Sequence, residues 1–178
     1  MRRSFTIALV AGAAALAACN SSGIPGPESA GPSAGARAVP LVNASGQAIG
    51  EVRVVDNGTG ATLLVTARSL PAGVHGIHVH DVGVCDPPDF KSAGPHWNPT
   101  NKQHGAENPQ GAHVGDLQNV TVAPDGSLDA EIAVPGAAGP MLDTNGAALV
   151  IHADPDDYRT DPSGNSGARI ACAVLGSQ

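Results

Sequence analysis

Gly73-Val74-His75-Gly76-Ile77-His78-Val79-His80 follows the turn cluster Ser69-Leu70-Pro71 and reads as an extended strand. Successive side chains of a strand point to opposite faces, so His78 and His80 share one face and His75 takes the other. Two imidazoles side by side suit one shared metal ion. His75 is expected to stay apart, a structural histidine whose ring nitrogens bond loop backbone.

Outward from this strand the same grammar repeats. Short β-prone runs cover 39–43, 49–56, 61–69, 116–123, 128–134, 147–152 and 168–174, punctuated by Asn57-Gly58, Asp125-Gly126 and Asn145-Gly146. Only 2% of residues are aromatic, while Gly numbers 23 and Pro 15, which favours many short elements over long helices. Eight strands of this kind predict an all-β sandwich or barrel. Two long segments, 81–112 and 153–167, interrupt the rhythm, and ordered loops of that length usually carry function.

All seven histidines lie between His75 and His152. His96, His104, His113 and Asp116 form a complete four-coordinate set that suits zinc, and four protein ligands make such a site closed and structural. His152 ends the apolar run 147–151. With His78 and His80 it makes three imidazoles, a set that suits copper and, by spacing alone, zinc equally.

The N-terminus places Arg2 and Arg3 before an uncharged apolar stretch, 5–18, that ends in Leu16-Ala17-Ala18-Cys19. This reads as a lipoprotein signal over 1–18 with a lipid on Cys19; a plain cleaved signal is the alternative. The apolar stretch is too short for a comfortable membrane span. Residues 20–38 are almost all Ser, Gly, Pro and Ala, so 19–38 reads as a flexible tether reaching roughly 25 Å, and 39–178 as one folded domain. Without 1–18 the chain has 7 Lys+Arg against 16 Asp+Glu, a formal charge of −9, which argues against nucleic acid as a partner. With Cys19 acylated, Cys85 and Cys172 remain, and a disulfide is their default state in an oxidising compartment. Such a bond would contribute on the order of 4 kcal/mol in the chain-entropy account.

Four stretches, Gly76-Ile77-His78-Val79-His80, Gly94-Pro95-His96-Trp97-Asn98-Pro99, His113-Val114-Gly115-Asp116-Leu117 and Gly164-Asn165-Ser166-Gly167-Ala168-Arg169-Ile170-Ala171-Cys172, resemble in order the signatures of copper/zinc superoxide dismutases. The resemblance runs from about Pro40 to Gly176. It implies an eight-stranded antiparallel Greek-key β-barrel with two long functional loops. It also implies copper held by His78, His80, His96 and His152, and zinc held by His96, His104, His113 and Asp116, with His96 bridging both as an imidazolate. Asp156 matches the aspartate that links a copper and a zinc ligand, and Cys85 and Cys172 match the family's intrachain disulfide. Arg169 matches the arginine that draws in the anion.

The activity so implied is dismutation of superoxide to dioxygen and hydrogen peroxide by redox-cycling copper. A chain of charge −9 must attract a singly negative substrate, so a local positive focus is required, which Arg169 supplies. Lys91 and Lys102, both in the first loop, are candidates to widen it. Three departures bear on this: Trp97 stands where Phe is usual, the second loop is shorter than in animal members, and the loop before Cys85 is also short. The shortened second loop puts substrate steering in doubt.

The expected location is the periplasm, lipid-anchored to the cell envelope. Asn20 after the lipid site prefers the outer membrane. Monomer and homodimer both stay open. A catalytically silent copper/zinc-buffering protein is the competing reading, and retention of Arg169 with all six ligand histidines argues against it. A zinc hydrolase would need an open position at zinc, which four protein ligands deny.

Overall fold

The computed structural model describes residues 38–58, 60–136, 138–143 and 145–176; the leader 1–18, Cys19 and the tether up to residue 37 lie outside the described residues. The described strands are β1 (Ala38–Asn43), β2 (Ala48–Asp56), β3 (Gly60–Ala67), β4 (Gly73–His75), β5 (Ile77–His80), β6 (Val120–Val122), β7 (Leu128–Pro135), β8 (Ala148–His152) and β9 (Arg169–Val174). Among the described residues the helical pieces are a 3-10 turn at Lys91–Ala93 and a single turn, α1, at Ala138–Met141.

Seven strands pair antiparallel in the order β5-β8-β9-β1-β2-β3-β7, and β4 pairs β6. β4 runs into β5 through Gly76, while β6 turns into β7 at Asp125-Gly126, where the Ala123 N–H donates to the Ser127 carbonyl at 2.9 Å. The strand order thus returns to its start and closes the antiparallel sheet into a barrel. Sequence-distant neighbours, β3 with β7, β5 with β8 and β9 with β1, mark the long connections of a Greek key.

Alternation decides which face fills the barrel. In β3, Ala61, Leu63, Val65 and Ala67 are buried while Leu64 and Thr66 face out. Leu41, Val52, Ile77, Val79, Leu149 and Ile151 join them in one core, each such aliphatic side chain contributing roughly 1.5–3 kcal/mol by leaving water. β8 differs, since all five of its residues are buried. Its outer residues, Ala148 and Val150, are covered by Phe90, Ala93 and Cys172 in a second small cluster. The first long loop folds back over the barrel wall to provide that cover, and the Cys85–Cys172 disulfide fastens it there, with Cα atoms 5.7 Å apart.

Two expected strands are modified. The run 73–80 is split at Gly76, whose N–H donates to Asp154 and whose carbonyl accepts from His152, so the chain changes partner from β6 to β8 there. The run 116–123 shrinks to Val120–Val122, because Asp116 and Asn119 are drawn into side-chain bonds with the two loops.

Candidate metal centre

His78 and His80 lie on the outer face of β5, beside Val150 and Ala148 of β8, while Ile77 and Val79 point into the barrel. His152 ends β8 opposite Arg169 of β9 across a register shift. His96 reaches the group through a bridge between His80 and His96 in the first loop. His75 stands apart, as strand parity expects: its Nδ1 bonds the His152 carbonyl and its Nε2 the Pro71 carbonyl, each at 2.8 Å.

Two sets of donor atoms converge, each within 4.8 Å: His78, His80, His96 and His152 in one, and His96, His104, His113 and Asp116 in the other. His96 belongs to both. In the first set every ring has one nitrogen on a protein partner, that of His96 being Asp116 of the second set. His78 Nε2 bonds Asp156 at 2.7 Å, His80 Nδ1 bonds the Gly94 carbonyl at 2.8 Å, and His152 Nδ1 bonds the Gly167 carbonyl at 3.3 Å. The remaining nitrogens, His78 Nδ1, His80 Nε2, His152 Nε2 and His96 Nε2, are buried with no hydrogen-bond partner. A buried, unpaired polar atom costs about 1–3 kcal/mol, so four aimed at one place need an explanation, and a cation supplies it.

In the second set Asp116 Oδ1 lies 2.9 Å from His96 Nδ1 and 3.0 Å from both His104 Nδ1 and His113 Nδ1. His104 Nδ1 nevertheless lacks hydrogen-bond geometry to that oxygen, so the ring aims at a common point and not at the carboxylate. Asp116 Oδ2 accepts the Gly105 and His113 N–H groups at 2.9 and 3.0 Å, which holds the carboxylate in place. Gly115 permits this turn, since a Cβ there would collide with the Val79 carbonyl and lie 3.1 Å from Trp97 N. Three nitrogens and one oxygen form the tetrahedral donor set that zinc accepts.

Burial sets the protonation of His80, His96 and His152. It pushes His80 down to about 2, helped by His96, and His152 down to about 3, helped by His78. His96 falls to about 4 through burial, although the Asp116 bond opposes the shift. Near neutral pH these rings are uncharged, the form that binds metal. For His104 burial pushes downward too, but the Asp116 carboxylate beside it and its bond to Asp156 outweigh it and lift the ring to about 9.

Asp156 joins the sets. Its Oδ2 meets His78 Nε2 and its Oδ1 meets His104 Nε2 at 3.0 Å. Asn119 clamps the Asp156 backbone from both sides, and the Tyr158 hydroxyl accepts the Asn119 N–H at 2.8 Å. Arg169 donates to the Phe90 and Gly94 carbonyls, both at 2.7 Å, beside His96 and His152 in one open cleft. Gly94 serves both Arg169 and His80, and its φ of 74° lies in the left-handed region that glycine tolerates.

Lys91 lines that cleft, and Lys102 lines a neighbouring one that shares Pro95, His96 and Pro162 with it. Lys91 thus stands in the cleft of Arg169 and Lys102 in the one beside it, its backbone held by Asn98. Sequence reasoning missed Phe90, Asn119 and Asp161, whose Oδ1 accepts the His104 N–H at 2.6 Å. Only Phe90 carried a signal, as one of the few large apolar residues in a loop rich in Pro, Gly and Asn.

A family model described as copper/zinc superoxide dismutase (SODC) matches residues 48–175. The protein named superoxide dismutase (Cu-Zn) 1 of Aquifex aeolicus is 40% identical over 142 residues, covering 76% of this chain and 84% of that protein. The superoxide dismutase-like protein YojM of Bacillus subtilis is 43% identical over 145 residues, covering 77% and 74%. The crystal structure of a SOD-like protein from Bacillus subtilis superimposes with a TM-score of 0.73 at 43% identity, covering 78% of this chain and 97% of that one.

Proposed function

The chain belongs to the copper/zinc superoxide dismutase family, and we propose that it dismutates superoxide at the paired donor sets, with His78, His80, His96 and His152 holding copper and His96, His104, His113 and Asp116 holding zinc. The observation that carries the assignment is the set of buried, unpartnered imidazole nitrogens, with His96 offering one nitrogen to each set. Copper supplies one-electron exchange between its two oxidation states, and zinc a fixed positive charge.

The chain's own residues supply the rest. Arg169 gathers the anion, its guanidinium pinned by two carbonyls so that its remaining N–H groups face the cleft. His96 carries a proton at Nε2 between one superoxide and the next, and delivers it as peroxide leaves. Its Nδ1 stays directed at the Asp116 set, so the ring keeps its place while the proton moves. Asp156 fixes the tautomers of His78 and His104, leaving Nδ1 of each free for metal.

Metal analysis with a superoxide assay tests this reading: copper and zinc near one each per chain, with fast dismutation, are expected, and full activity in a copper-free preparation would overturn it. A silent metal-buffering role has one observation in its favour, the name "superoxide dismutase-like" borne by the Bacillus subtilis relative. Retention of Arg169 and of both complete donor sets favours turnover here.

For the residues outside the described part, the same proposal takes 1–18 as a lipoprotein signal, Cys19 as the acylated residue and 19–38 as the tether of a 39–178 domain. The enzyme then stands at the cell envelope facing the periplasm, with the outer membrane preferred, and protects it from external oxidant. Arg2, Arg3 and Leu16-Ala17-Ala18-Cys19 support this. Mass spectrometry of the mature N-terminus is expected to find a diacylglyceryl cysteine, and an unmodified one would defeat the anchor.

A further inference from the structure

The cleft over His96 and His152 is lined by three formally charged side chains: Arg169, Lys91 and Asp89. Two cations and one anion leave it at +1. Asp89 is placed against Lys91 and shares the cleft with Arg169. Its Oδ2 lies 2.7 Å from Lys91 Nζ, its Oδ1 accepts the Lys91 N–H at 3.2 Å, and its charge acts on the Arg169 guanidinium, which burial pushes down and Asp89 supports. The Lys91 side chain in turn holds Asp89 below the usual carboxylate range, so Asp89 is ionised at neutral pH.

Stability does not account for this aspartate. Lys91 and Asp89 are 82% and 54% exposed, and ion pairs so open to water contribute little. Their electrostatic reach is another matter, because the cleft has low-dielectric walls and sits on a strongly negative chain.

We propose that Asp89 is a rate-setting counter-charge at the mouth of the site: by pairing with Lys91 in the cleft that Arg169 also lines, it halves the net side-chain charge of that lining as an incoming anion meets it. This rests on the superoxide dismutase reading. Without Asp89 the mouth carries +2; without Lys91 it carries zero.

The test uses Asp89→Asn, which keeps the acceptor for the Lys91 N–H, and Lys91→Gln, in the metal-loaded full chain. At about 10 mM ionic strength Asp89→Asn is expected to raise kcat/KM about two- to threefold and Lys91→Gln to lower it by a similar factor, both converging on the parent above about 0.5 M salt. In the reduced, diamagnetic holoenzyme, titration with inorganic phosphate followed at the Arg169 Nε–H resonance is expected to order affinities as Asp89→Asn, parent, Lys91→Gln. An Asp89→Asn enzyme no faster than the parent at low salt, or a gain that persists at high salt, overturns the proposal, as does a phosphate affinity indifferent to both changes. Phosphate affinities in the expected order with no dismutation by any variant would uphold the counter-charge and count against the enzymatic reading instead.

Discussion

His78 and Asp156 meet Nε2 to Oδ2 at 2.7 Å with neither side chain exposed, and the other oxygen of the same carboxylate reaches His104. One buried anion thus fixes a ring in each donor set. Asp156→Asn keeps the shape but replaces one acceptor oxygen by an NH2 donor, which cannot accept a ring N–H. Affinity for one or both metals is expected to fall about 10- to 100-fold, measured by chelator competition, with the fold retained by circular dichroism.

Phe90 is fully buried in the small cluster that covers β8, and its carbonyl holds Arg169. Phe90→Ala is expected to cost about 3–5 kcal/mol in denaturant unfolding with the disulfide intact. It is also expected to slow turnover, because the backbone carbonyl that holds the guanidinium is no longer anchored by a buried side chain. Phe90→Leu should recover most of the stability.

Arg169 is the one cation in the cleft that is held by the backbone on two sides. Arg169→Ala is expected to slow dismutation about tenfold at low ionic strength and to flatten its dependence on salt. Arg169→Lys should retain the charge but not the fork, falling between the two when kcat/KM is followed against added salt.

Asp157 gathers four donors: the Thr160 hydroxyl at 2.6 Å, the Thr160 and Arg159 N–H groups, and the Asn165 amide. The Thr160 hydroxyl first, then those N–H groups, hold its carboxyl down to about 2, below its ordinary 3.8. A depressed carboxyl stabilises the fold above its unfolded value and ceases to do so as pH falls through the folded one. The stability gap between the parent and Asp157→Ala is therefore expected to be constant above about pH 5 and to close between about pH 4 and pH 2, read from unfolding midpoints across that range.

Much of the barrel was legible because strand periodicity is local. β2, β3, β7, β8 and β9 fall within two residues of their expected bounds, since alternation and turn dipeptides act over a few positions. Gly76 escaped, as a partner change leaves no mark in a run that still alternates. Asp116–Asn119 read as strand for the same reason, although its side chains are claimed by residues far along the chain. That Lys91 and Lys102 line two neighbouring clefts was not legible, because a long loop's path is not written in its composition.

By itself the sequence determined an all-β chain, the shared face of His78 and His80, the separation of His75, and which residue types were available to bind metal. Those follow from the two-residue period and from side-chain chemistry. Only the tertiary structure decided which nitrogen of each ring is left free, that Asp156 faces both His78 and His104, and that Phe90 and Gly94 grip Arg169. The physical reason is distance along the chain: these contacts join residues 52 to 79 positions apart. They exist only where the two loops close over one barrel wall, which no local pattern encodes.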